Sequence, residues 1–310
     1  MTERSAHTPD EGGHGGAPGP VLVGADGSES ALRAVETAAR EARARGTRLD
    51  VVHAFMWPLL RVPLGPSPYA PPGSGFREQA QQILDTAVAR ARACEPDVEV
   101  AGEIIEGEPL TVLATRSRSA SLVVVASRGV GAFTGLLLGS VAVHLAAHAA
   151  CPVLVVRGRE QPTGPVLLAV DGSADSDAAV AFAFAEAEAR GAGLLAVHAW
   201  LPRTGLGDLA PFFQGEEAIR DEEQRVLDKA LTAAAARWPG VSFERRLVRG
   251  RTREVLLAES AEAQLVVVGA RGRGGFAGLL LGSVSQAMLH HAQCPVVVLR
   301  GELAEPDATH

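Results

Sequence analysis

The sequence predicts an α/β protein built of two tandem, doubly wound halves, each a parallel five-stranded sheet of Rossmann-like form with strand order 3-2-1-4-5. Three observations carry this. Short apolar runs alternate with longer helical patterns, which implies a parallel sheet covered by helices on both faces. The chain also repeats itself: Pro20-Val-Leu-Val-Gly24-Ala-Asp26-Gly27-Ser28 returns 145 residues later as Pro165-Val-Leu-Leu-Ala169-Val-Asp171-Gly172-Ser173. Finally, a glycine-rich loop occurs at the same place in each half, and 11 of 14 positions from Arg128 to Val141 match Arg271 to Val284. At 310 residues with 47% hydrophobic content, the chain can bury two ordinary cores.

Residues 1–19 are rich in Gly, Pro and charge without apolar periodicity, and predict a disordered lead. The first half spans 20–157, a linker covers 158–164, the second half spans 165–301, and 302–310 form a tail. Each first strand ends in Asp-Gly-Ser and leads into a helix, 29–45 in the first half. The second strands, 49–55 and 194–200, end in His53-Ala54 and His198-Ala199. A lone histidine at a strand end, with no Cys or second His at metal spacing, reads as a packed and hydrogen-bonded residue. Pro- and Gly-rich stretches at 57–75 and 202–215 have the length of lids or mobile loops. Helices follow at 76–94 and 216–237, third strands at 98–105 and 241–248, and short helices at 109–118 and 252–261. The fourth strands, 122–126 and 265–269, run into the glycine loops; helices begin at Gly139-Ser140 and Gly282-Ser283, and fifth strands close each half at 152–156 and 295–299.

Composition excludes several classes. A net charge of −7 argues against a nucleic-acid-binding surface, and the local run Arg245, Arg246, Arg249 and Arg251 reads as a solvated strand edge. Lys229 is the single lysine and no Walker A motif occurs, so a phosphate site relying on a loop lysine is ruled out. Cys94, Cys151 and Cys294 form no C-x-x-C pair and read as small buried hydrophobes in a reducing cytosol. No apolar run reaches the ~18 residues of a spanning helix and no signal-peptide pattern opens the chain. The expected location is cytoplasmic, away from membranes.

The repeated loop points to phosphate. A helix start leaves backbone N–H groups without partners and carries positive partial charge, so Gly-Ser there forms an anion cradle that a ligand can approach closely. The competing reading makes Ser140 and Ser283 helix N-caps and the glycines mere turn formers. Asp26 and Asp171 likewise either cap the following helix or face a ligand. With order 3-2-1-4-5, the ligand crevice lies between strands one and four, beyond their carboxyl ends. Asp26 and the loop after Ala126 then line one pocket, and Asp171 and the loop after Gly269 the other.

At these residues the chain resembles the universal stress protein family in its tandem two-domain form. The family's nucleotide-binding members carry Gly, two residues, Gly, nine residues, then Gly-Ser or Gly-Thr. Gly269, Gly272, Gly282 and Ser283 fit throughout; the first half has Ala126 in the leading position, followed by Gly129, Gly139 and Ser140. The resemblance implies a cytoplasmic ATP-binding protein, a nucleotide-responsive regulator of stress or dormancy, with Mg²⁺ accompanying the phosphates. It places the strand-one Asp near the adenosine, the backbone after the strand-two His against the base, and the Gly-Ser loop on the phosphates. The candidate cofactor-binding residues are Gly24, Asp26, Ala54, Ala126, Arg128, Gly129, Gly139, Ser140 and Val141 in the first half. In the second they are Ala169, Asp171, Ala199, Gly269, Arg271, Gly272, Gly282, Ser283, Val284 and Ser285. The family pairs domains through the fifth strand, which implies an internal pseudo-dimer and leaves room for a further homodimer.

Two other classes compete. An enzyme that hydrolyses ATP slowly or transfers a phosphoryl group would need a positioned base and charge stabilisers, and beyond Arg128 and Arg271 no repeated constellation supplies them. No catalytic residue and no protein-held metal is therefore expected. Gly272-x-Gly274-x-x-Ala277 matches the short dinucleotide fingerprint, but it follows the fourth strand instead of the first. The one motif departure predicts unequal sites: a methyl group at Ala126 intrudes on the ligand's approach or strains the backbone, so the second half should bind more tightly.

Overall fold

The computed structural model describes residues 19–56, 75–129, 138–159, 163–201, 216–273 and 279–301. The expected lead and tail, the long loops after the second strands and the tips of both glycine loops lie almost entirely outside them. The first half contains β1 (Val21–Gly24), α1 (Glu29–Arg45), β2 (Leu49–Phe55), α2 (Phe76–Cys94), β3 (Val100–Glu106), α3 (Pro109–Arg116), β4 (Leu122–Ala126), α4 (Ser140–His148) and β5 (Val153–Val156). The second repeats it as β6 (Val166–Ala169), α5 (Ala174–Arg190), β7 (Leu194–Trp200), α6 (Glu216–Arg237), β8 (Phe243–Arg249), α7 (Thr252–Glu259), β9 (Leu265–Gly269), α8 (Ser283–His291) and β10 (Val296–Leu299). A 3-10 turn at Ser117–Ser119 takes up the end expected of α3. The third strands start two residues later than expected because Val98 and Val241 are held in turns, their N–H groups bonded to Glu95 and Trp238 carbonyls at 3.2 Å.

Each half has strand order 3-2-1-4-5, and the two five-stranded sheets are joined edge to edge. The order is β3-β2-β1-β4-β5-β10-β9-β6-β7-β8. Every pairing is parallel except β5 with β10, which is antiparallel with Leu154 opposite Val297. An antiparallel join between equivalent strands is what a two-fold relation between the halves produces, and it removes two sheet edges. Strands covered on both faces read as near-continuous apolar runs. Along β1, Val21 and Val23 pack under α1 and α2, whereas Leu22 packs on the opposite face with Leu113 of α3 and Leu145 of α4.

The first helix of each half is set by its caps. Ser28 accepts a hydrogen bond from Ala31 N–H at 3.1 Å, and Gly46, at φ 61°, closes the other end with its N–H on Ala42 and Arg43 carbonyls. Small residues at helical spacing (Ala31, Ala34, Val35, Ala38, Ala42) let α1 lie close on the sheet. Ser173 and Gly191 repeat the arrangement on α5.

Where α1 meets α5, four charges form a closed ring. Arg45 binds Glu41 and Glu186, and Arg190 binds Glu186 at 3.0 Å and Glu41. Both glutamate side chains are only 6% exposed, and each takes one arginine from its own half and one from the other. Burial, and then the neighbouring Glu186 carboxylate, push the Glu41 carboxyl above its ordinary range. Arg157, after β5, also crosses between halves: its guanidinium donates to the Met288 and His290 carbonyls at 2.9 Å, partnering the C-terminal end of α8. Among the described residues no helix is long and apolar enough to cross a membrane.

Candidate functional site

The carboxyl ends of β6, β7 and β9 and the start of α8 surround a cavity of about 940 Å³. All ten candidates from the second half line it, Ala169, Asp171, Ala199, Gly269, Arg271, Gly272, Gly282, Ser283, Val284 and Ser285. The size suits a nucleotide-sized ligand. The crevice lies between strands one and four of the half, as the strand order requires.

The start of α8 turns the positive end of a helix towards the cavity. Gly282 is the N-cap residue, its N–H bonded to Ala270 O at 2.7 Å, and Ser283 is the first helical residue. Gly139 and Ser140 stand in the same relation to α4. The serines are therefore not caps, and the residues in the cap position have no side chain with which to occupy the first-turn N–H groups. Ser285 is buried and its hydroxyl faces Ala270 O at 2.8 Å and Gly282 O at 2.9 Å, so it braces the turn and offers no donor to the cavity. The side chains of Val141 and Val284 pack on the core, leaving their backbone at the helix start.

The repeated glycines separate into two kinds. A Cβ on Gly272 would stand 2.3 Å from Asp171 Oδ2, and one on Gly129 2.4 Å from Asp26 Oδ2, so these positions are glycine because a carboxylate occupies the space. A Cβ on Gly282 would find its nearest neighbours at 3.4 and 3.5 Å, and one on Gly139 at 3.5 and 3.9 Å. Neither of those residues has positive φ. The protein's own packing leaves room for a Cβ at both positions, and Gly282 lines the cavity.

Asp171 is not the cap of the helix that follows it, and it lines the cavity with both carboxylate oxygens engaged. Ser173 caps α5, accepting from Ser176 N–H at 3.3 Å, while Asp171 Oδ1 accepts from Ser173 N–H at 3.0 Å and Ser173 O–H at 2.6 Å. Its Oδ2 accepts from Arg273 N–H at 3.0 Å. The carboxylate thus ties the loop after β6 to the glycine loop after β9. Asp26 accepts from Ser28 N–H at 2.9 Å and meets Gly129 in the same way.

The reason offered for unequal sites is overturned. Gly269 has no positive φ, and a Cβ there would stand 2.9 Å from Asp175 Cβ and 3.0 Å from its carbonyl carbon, pointing into α5. Asp175 is buried and accepts from Arg271 N–H and Gly301 N–H, each at 2.9 Å. In the first half Ser30 takes its place, donating to Arg128 O at 2.8 Å, and the Ala126 methyl packs against the core. Gly24 similarly makes room for Leu113, whose Cδ1 would lie 3.0 Å from a Cβ. These differences concern helix packing, not a ligand's approach.

The strand-two histidines are packed, as expected. His53 Nδ1 donates to Ala25 O at 2.7 Å and His198 Nδ1 to Val170 O at 2.6 Å, since a carbonyl can only accept. His198 Nε2 also meets Glu223 Oε2 at 2.7 Å, and the Arg273 guanidinium lies 3.7 Å from the same oxygen. Glu223 and Arg273, with Ser176, Trp200 and Thr252, line the cavity without having been singled out in the sequence. Arg271 is half exposed at the rim, 3.5 Å from Asp175. Among the described residues no group of three or more His, Cys, Asp or Glu side chains could hold a metal.

The universal stress protein family model matches this chain twice, over residues 19–157 and 163–300. A universal stress protein of Mycobacterium tuberculosis is 37% identical over 308 residues, covering 90% of this chain and 94% of its own. A second from the same organism is 37% identical over 302 residues, covering 91% and 97%. Among solved structures, a universal stress protein from Archaeoglobus fulgidus superposes with a TM-score of 0.65 at 22% identity, over 92% of this chain and 97% of its own, a likeness of fold. On the two family matches and these relatives, the chain belongs to the universal stress protein family, in its tandem two-domain form.

Proposed function

We propose that this chain is a cytoplasmic ATP-binding regulator that responds to nucleotide and turns it over slowly if at all. The observation that carries the reading is Gly282. It is a glycine that its own protein does not require, at the uncapped start of a helix that opens on a cavity of about 940 Å³. Room for a Cβ beside free N–H groups is what the close approach of a phosphate needs. In this reading the first-turn N–H groups of α8 hold the phosphates and the Ser283 hydroxyl donates to them. Backbone around Ala199 lies along the base, and Asp171 and His198 hold the two loops at fixed separation. Mg²⁺ would screen charge between the phosphates. The equivalent residues of the first half, Asp26, Ala54, Gly129, Gly139 and Ser140, support a second site of similar strength.

The expectation of slow turnover is supported by two groups that line the cavity. Asp171 is occupied on both oxygens and Ser285 by carbonyls, so neither is placed to activate water. Calorimetry with ATP and Mg²⁺, followed by a steady-state hydrolysis assay, tests both parts. Binding with turnover far below ~1 s⁻¹ is expected; absence of binding, or turnover in the ~1–10³ s⁻¹ range of ordinary enzymes, would overturn the proposal.

A further inference from the structure

The second half holds another cavity, of about 620 Å³, between α5 and α6. The Arg273 guanidinium lies against Gly172 and borders both this cleft and the larger cavity. The floor is apolar, formed by Val180, Val226, Ala230 and Ala234, with Trp238 just beyond the end of α6. Lys229 and Arg237 stand on the rim, and neither has a carboxylate partner among the described residues; Arg237 lies over the Trp238 ring, 4.6 Å from its centre.

The internal repeat explains why the space is open. Leu84 and Asp85 of α2 correspond to Leu227 and Asp228 of α6, and both aspartates accept from a glutamine one turn earlier, Gln81 and Gln224. On that alignment Arg90 corresponds to Ala233. In the first half Arg90 bridges α2 to α1, 3.3 Å from Glu29 and 3.2 Å from Glu36. The second half has Ala174 and Ala181 where those glutamates stand. Three long ionic side chains are thus exchanged for methyl groups, which empties the groove between the helices. The rim changes the other way: Thr86 and Cys94 correspond to Lys229 and Arg237, so two cations appear in a chain whose net charge is −7.

We propose that the α5–α6 cleft is a second ligand site, for a small amphiphilic anion. Its apolar body would lie on Val180, Val226 and Ala230, and its single carboxylate, sulfonate or phosphate group would meet Lys229 and Arg237. The volume falls within the ~300–1,000 Å³ of small-molecule sites. A partner helix, about 10 Å across, does not fit between two helices that already pack side by side on one sheet. Asp177 and Glu222 also line the cleft, but Glu222 is paired with Arg225, so Lys229 and Arg237 outnumber the remaining carboxylate and supply the charge complementarity. An emptied apolar groove left in water would have no compensating gain.

The test uses the full chain and 1-anilinonaphthalene-8-sulfonate as probe, followed by fluorescence, with decanoate as competitor. One saturable site is expected, displaced by decanoate and unaffected by ATP. Ala181→Glu with Ala233→Arg, which transplants the ion pair of the first half, should weaken binding at least tenfold, and Lys229→Glu should do the same. Gly282→Ser, at the nucleotide cavity, should leave it unchanged. Should the double variant fail to fold, Lys229→Glu on its own decides. No saturable binding, binding unaltered in Lys229→Glu, or binding lost in Gly282→Ser or on addition of ATP would each overturn the proposal.

Discussion

Replacing Gly282 with Ser separates a ligand site from a structural turn, because the two readings predict changes of opposite sign. The nearest atoms to the new Cβ, at 3.4 and 3.5 Å, permit the side chain without a shift of the backbone. Serine is also the better N-cap, so α8 should gain about a few tenths of a kcal/mol. If phosphate lies on the first turn of α8, the hydroxymethyl group occupies the same space and takes one of the N–H donors. Losing a hydrogen bond to a charged group costs about 1.5–3 kcal/mol, which corresponds to roughly 10- to 150-fold in affinity. Calorimetric titration with ATP and Mg²⁺ reads the affinity of the second half, and a thermal melt without nucleotide reads the stability. Gly139→Ser reports on the first half in the same way. Unchanged ATP affinity alongside an unchanged or raised melting temperature would refute the placement of phosphate at this helix.

Gly269→Ala should cost about 1–3 kcal/mol of stability through its contact with Asp175, with ATP affinity of the folded protein retained; denaturant midpoints and calorimetry together check this. Asp171→Ala removes three hydrogen bonds, one of which joins the two loops, so melting temperature and ATP affinity should fall together, and a change in only one would contradict the clamp role. Glu41 has a folded pKa above its unfolded one, so the folded state binds more protons and this contribution to stability is lost as pH rises out of the ordinary carboxylate range. Urea midpoints of wild type and Glu41→Gln from about pH 4 to 7 should therefore converge or cross in favour of the variant as pH rises, and parallel curves would exclude the effect.

Much of this was legible because local signals agreed with the fold. The caps Ser28 and Gly46 bound α1 at Glu29–Arg45, the limits read from the sequence, and Ser173 and Gly191 bound α5 in the same way. The glycine loop and strand order brought all ten second-half candidates to one cavity. What escaped depends on contacts between elements distant in the chain. No spacing announces that Glu223 of α6 meets His198, or that Asp175 fills the space beside Gly269. The Glu41, Arg45, Glu186 and Arg190 pattern repeats in the sequence, yet its closure into a ring follows only from α1 meeting α5 across the β5–β10 join. The exchange of Arg90, Glu29 and Glu36 for alanines is equally silent until both helix pairs are seen on the sheet.

Whether the uncapped helix starts hold a nucleotide is read from native mass spectrometry of the full chain, as purified and after addition of ATP and Mg²⁺. Mass increments of one or two ATP are expected, and in the Gly139→Ser, Gly282→Ser double variant the same occupancy should need roughly 10- to 150-fold more ATP. No nucleotide increment with ATP in excess, or an unshifted ATP titration in the double variant, would rule out nucleotide at these helix starts.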